Sequence, residues 1–81
     1  MNIFYSDETL FVDLYGSVEM NKVKNKVFSI LDEYSISNIE INVGEVFEYK
    51  SGTIRELKSD YNRMYKGNIK IIKWSRYSKL L

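Results

Sequence analysis

The side chains that most often do chemistry at neutral pH are missing, because the sequence contains no histidine and no cysteine. That removes the usual proton shuttle, the thiolate nucleophile and the common transition-metal ligands. The carboxylates Asp32, Glu33, Glu45 and Glu48 have no partner base beside them and read as solvated polar positions. A glycine-rich phosphate loop is also lacking, since Gly52 alone is no signal. An active site needs several such groups at once, so the sequence is not expected to be an enzyme, and no cofactor or metal is expected. One hydroxyl has a telling position. Ser51 directly precedes Gly52 and an amphipathic stretch, where it could accept a hydrogen bond from a free amide of the first helical turn.

Two other groups of residues could bind rather than react. The stretch from Lys66 to Lys79 carries Lys66, Lys70, Lys73, Arg76 and Lys79 without an acid, and it includes Trp74 and Tyr77. Phosphate contacts with stacking would suit a nucleic acid. Five charges over that length make a thin patch, and lysines on an edge strand also discourage aggregation, so nucleic acid is the weaker expectation. The tyrosines say more. Tyr34, Tyr61 and Tyr65 fit core faces, whereas Tyr15, Tyr49 and Tyr77 need not be buried. Surface aromatics are favoured at protein interfaces, which singles out the segment with Phe47 and Tyr49 beside Ser51.

The elements that must position these residues follow from hydrophobic spacing. Ile3 to Tyr5 is a short strand, and Ser6-Asp7-Glu8 is turn-like. Leu10, Val12 and Leu14 alternate with Phe11, Asp13 and Tyr15, which predicts a second strand hairpin-paired with the first and ended by Gly16. Met20, Val23, Val27, Ile30, Leu31 and Tyr34 recur at three- and four-residue intervals, which predicts a helix from Glu19 to Tyr34. Ile39, Ile41 and Val43 give a third strand closed by Gly44, and 45–50 reads as a loop. A second helix has Ser51 as N-cap, Ile54, Leu57, Tyr61, Met64 and Tyr65 as its apolar face, and Gly67 as a left-handed residue after its end. Asn68 to Trp74 is the fourth strand, and 75–81 is a short helical or frayed tail.

The expected fold is therefore one α/β domain spanning 1–81, ordered β-β-α-β-α-β. It has a mixed four-stranded sheet with two helices on one face, because successive parallel crossovers share a hand. The other face would carry Phe11, Asp13, Tyr15, Glu40, Asn42 and Lys70. Eighty-one residues allow one core only, and 44% hydrophobic residues with a net charge of +1 argue against disorder. The start lacks the basic and apolar segments of a signal peptide, and no apolar run reaches membrane-spanning length. Together with the missing cysteines this points to the cytoplasm and to no membrane partner.

That order, with Leu14-Tyr15-Gly16-Ser17-Val18-Glu19 after the second strand, Ile41-Asn42-Val43 in the third and Tyr49-Lys50-Ser51-Gly52 opening the second helix, resembles a shortened STAS domain of the bacterial anti-sigma-factor-antagonist kind. Tyr49 and Lys50 stand where that family has an acid and a further serine. The resemblance implies a non-enzymatic protein-binding module in transcription regulation, with an anti-sigma factor or kinase as partner. It also implies that Ser51 is a phosphorylation site controlling that binding. The expected contact surface comprises Phe47, Tyr49, Lys50, Ser51, Gly52, Thr53, Arg55 and Glu56. The alternative from another class is a structural or assembly subunit that forms a homodimer through Phe11 and Tyr15 on the open sheet face.

Overall fold

The computed structural model describes residues 1–73; Trp74, the expected last residue of the fourth strand, and the expected tail with Arg76, Tyr77 and Lys79 lie outside them. The elements are β1 (Asn2–Ser6), β2 (Thr9–Glu19), α1 (Met20–Tyr34), β3 (Asn38–Lys50), α2 (Ile54–Met64) and β4 (Asn68–Lys73). The strands lie in the order β1-β2-β3-β4. β1 runs antiparallel to β2, while β2–β3 and β3–β4 are parallel. The fold is thus α/β with a mixed four-stranded sheet and both helices on one face.

Each element follows from local chemistry. Asp7 and Glu8 both have positive φ, 51° and 61°, which makes the β1–β2 connection a two-residue turn whose twist matches the strands. Along β2 the pleat turns Leu10, Val12 and Leu14 inward, and parallel pairing sets them beside Ile39, Ile41 and Val43 of β3. Val23, Val27 and Leu31 of α1 and Leu57 and Tyr61 of α2 close over them in one buried cluster. Lys24 of α1 reaches Asp60 of α2 at 3.0 Å, and Arg63 reaches the same carboxylate at 2.9 Å. The Lys24 hydrogen bond is the main reason the Asp60 carboxyl titrates below its ordinary value.

Several expected boundaries shift. Gly16 and Gly44 do not end their strands: β2 runs on to Glu19 and β3 to Lys50, so 45–50 is strand and not loop. Irregularities in the β2–β3 register between Leu14 and Ser17 absorb both glycines as bulges. Tyr34 and Met64 sit at the outer margins of their helical faces and are exposed. Gly67 does not supply a left-handed helix end, because α2 terminates on Tyr65 in extended conformation with φ −129°. The left-handed cap belongs to α1, at Ser35 with φ 52°.

Gly67 is needed for a different reason. The chain entering β4 passes so close to the preceding connection that a Cβ there would collide with the Ser37 carbonyl oxygen and the Tyr61 hydroxyl. The same carbonyl accepts the Asn68 amide at 2.9 Å, so the close approach secures the start of β4. Gly67→Ala should therefore destabilise the domain by about 2 kcal/mol, the range for overpacking a tight site, read as a lower denaturant midpoint.

Tyr65 ties α2 to α1. Its hydroxyl lies 2.6 Å from Asp32 Oδ1, and its ring meets Phe28 at a centroid distance of 5.2 Å. Burial first, and then the hydrogen bond to Asp32, push its phenol from 10.0 up to about 12. A phenol whose folded value is raised favours the fold while protonated. Its contribution is complete below pH 10 and disappears as pH rises toward 12. The stability difference between wild type and Tyr65→Phe should shrink over that window, which chemical denaturation at stepped pH would register.

Candidate functional site

The extended β2–β3 pair builds the candidate surface. β1 matches β2 as far as Asp13, and among the described residues β4 matches β3 as far as Val43, the partner of Lys73. The two central strands stay paired as a parallel ribbon from Gly16↔Val46 to Glu19↔Lys50. Two bulges fall at its root. Between Leu14 and Gly16 only Tyr15 intervenes on β2, against Gly44 and Glu45 on β3. Between Val46 and Glu48, Phe47 has no partner at all. A bulge frees a residue from the ladder and re-aims its side chain.

Phe47 is accordingly the most exposed large apolar residue described, at 79%, with Tyr15 at 53%. Gly16, at φ 71°, lies beneath the Phe47 ring, which would stand 3.8 Å from a Cβ at that position. Tyr15, Gly16, Phe47, Asp13 and Asn42 line an open hollow of about 860 Å³. Asn42 Nδ2 donates to Asp13 Oδ1 at 2.8 Å across its floor, and Ser17 Oγ donates to Glu48 Oε2 at 3.1 Å on the ribbon. Rings over a hydrogen-bonded amide and carboxylate can bind another surface.

The eight residues expected to form one contact surface divide between two places. Phe47 borders the hollow, whereas Ser51, Gly52, Thr53 and Glu56 line a shallow recess with Met20 and Lys24 at the start of α1. Tyr49 pairs with the buried Val18, and partial burial raises its phenol above the ordinary value. Lys50 ends β3, and Arg55 is exposed in the first turn of α2. Tyr15 was legible as an exposed aromatic but not as a neighbour of Phe47, because the bulges that join them leave no mark in the alternation.

Ser51 is not the N-cap of α2. Thr53 takes that role, with extended backbone and its Oγ1 accepting the Glu56 amide at 3.2 Å. Ser51 instead adopts φ 62° in the turn and is exposed. An N-cap residue requires β-region dihedrals, which explains why the hydroxyl two residues closer to the helix is used. Gly52 follows at φ 139°, where a Cβ would press on Glu56 Oε2 and Met20 Cβ.

No protein-family model, curated protein or solved structure matches the chain. No helix among the described residues is long and apolar enough to cross a membrane.

The capping assignment can be checked by thermodynamics. Thr53→Ala should lower stability by about 1 kcal/mol, as loss of a cap does. Ser51→Ala should leave it within about 0.5 kcal/mol, as at other exposed positions. A loss at Ser51 with none at Thr53 would return the cap to Ser51.

Proposed function

We propose that this chain is a non-enzymatic protein-binding module, taking its partner along the β2–β3 ribbon and through the Ser51–Gly52 turn to the start of α2. The observation that carries this reading is the ribbon itself. β2 and β3 stay paired past two bulges, Phe47 is 79% exposed on the hollow that Tyr15 also lines, and β3 leads into a turn with a solvent-facing serine. Placing a phenylalanine in water costs apolar hydration, and docked aromatics recover it; such residues dominate binding energy when they sit at an interface centre.

The resemblance to anti-sigma-factor antagonists supports a regulatory partner, an anti-sigma factor or its kinase, within the cytoplasm. Ser51 fits a modifiable position in this reading, because Thr53 relieves it of a capping duty and its hydroxyl is accessible. A phosphate on Ser51 would sit near the amino end of α2, where free amides favour an anion. Glu56 in the same recess would oppose it, and a closely docked partner would lose its fit through charge and bulk.

Binding to a partner recovered from source-cell extract would test both parts. Phe47→Ala should weaken it by about 2 kcal/mol, roughly thirtyfold, with the domain still folded. Ser51→Asp should reduce recovery where Ser51→Ala does not. Affinity unchanged by Phe47→Ala would remove the ribbon from the contact. Equal recovery with Ser51→Asp would remove the switch and leave the binding role.

A further inference from the structure

The two edges of the sheet differ in a way that singles out one of them. β4 presents Lys70 and Lys73 within Asn68-Ile69-Lys70-Ile71-Ile72-Lys73, and edge lysines repel a second strand. β1, Asn2-Ile3-Phe4-Tyr5-Ser6, has no charge, no proline and no bulge. Among the described residues its outer backbone is unpaired, since β2 is its only neighbour there.

Hairpin geometry fixes which groups point outward. The pair flanking a two-residue turn, Ser6↔Thr9, exchanges hydrogen bonds, and the pattern alternates from there. Phe4 therefore spends its backbone groups on Phe11, whereas the N–H and C=O of Ile3 and Tyr5 face the free edge. A second β1 laid antiparallel can use all of them in one register only, with Ile3 opposite Tyr5 of the other copy and Phe4 opposite itself. In that register every pair matches. Asn2 meets Ser6, Ile3 meets Tyr5 as a β-branched and aromatic pair, and Phe4 meets Phe4 at a narrow pair where side chains are closest. Phe4 already stacks on Phe11, with ring centroids 4.9 Å apart and planes within 13°. The pairing joins two such stacks across the two-fold axis.

The flank of β1 is equally unprovided for. An apolar groove of about 420 Å³ lies between β1 and the end of α1, lined by Ile3, Tyr5, Leu10, Ile30, Tyr34 and Ile36. Tyr5 and Tyr34 are 57% and 65% exposed there. Ile3 and Tyr5 of a second copy would extend this groove across the axis and cover both tyrosines, and no charge on either β1 opposes the approach.

We propose that β1 is the self-association edge of this protein, pairing two copies antiparallel about Phe4 into one continuous eight-stranded sheet. A contact made by one five-residue strand from each copy is small, so the dimer belongs to the weak, transient class. The proposal is independent of the partner-binding reading, which rests on Phe47, Tyr15 and the Ser51 turn.

Sedimentation across a concentration series should show a monomer–dimer equilibrium for the wild type. Phe4→Lys sets two lysines face to face and should weaken association roughly tenfold or more, and so should Phe4→Glu. Mixing the two variants should restore a dimer, because only position 4 opposes itself. Phe4→Cys gives an independent reading in a chain without cysteine. The self-opposed pair sets its Cα atoms about 4.5 Å apart, within the span a disulfide tolerates, so mild oxidation should cross-link it while Tyr15→Cys stays monomeric. A wild type that is monomeric at every concentration would overturn the proposal. So would a dimer indifferent to Phe4→Lys, or cross-linking through Tyr15→Cys and not Phe4→Cys, which would place the contact on the open face.

Discussion

The parallel register of β2 against β3 is the constraint on which the other elements depend. Leu10, Val12 and Leu14 lie beside Ile39, Ile41 and Val43, and all six are buried. A slip of one residue would turn each of these side chains to the other face and leave α1 and α2 nothing to cover. Because the register is fixed by burial, the opposite parity is fixed as well. Asp13 and Asn42 become neighbours close enough for a 2.8 Å hydrogen bond, and Phe11 comes under Phe4. The open face follows from how the core was satisfied.

The same pair stays together past two bulges, which create the features that are not explained by stability. Regular pairing past Leu14 would place Tyr15 opposite Gly44 with Phe47 in the ladder. The two bulges interrupt that, and Gly16 takes the positive φ that a side chain would resist. Phe47 is left over the glycine and largely in water. A sequence selected for stability alone has little reason to keep phenylalanine at an unpaired, exposed strand position, and that argument favours binding for the ribbon.

Alternation made the strands legible as far as Tyr15 and Val43, and the three- and four-residue spacing made both helices legible nearly to their ends. Glycine misled in three places for one reason. A glycine in a sequence signals only that something special happens to the backbone, and the event at Gly16 and Gly44 is a bulge, at Gly67 a close crossing. The cap of α2 was ambiguous in the same manner, since Ser51 and Thr53 are both good capping residues. The choice depends on dihedrals that the Ser51–Gly52 turn sets, with φ 62° and 139°. Tyr34 was assigned to the core by its period, but it stands past the rim of the sheet, beside the free edge of β1.

The Ser51 recess and the groove along β1 are separated by the length of α1. Met20 and Lys24 at its start border the Ser51 recess, while Ile30 and Tyr34 near its end border the groove along β1. Fifteen helical residues span about 22 Å, which is further than a side chain reaches. Occupation of the recess therefore need not obstruct the groove. A pair of chains joined through β1 would present two ribbons and two Ser51 turns on one rigid sheet. A partner with two matching sites would then bind the second at a raised effective concentration, and weak single contacts could sustain a firm complex without any new contact being made. Loss of fit at one turn would lower the whole by more than half, so an edge that merely pairs chains would sharpen whatever control acts at the ribbon.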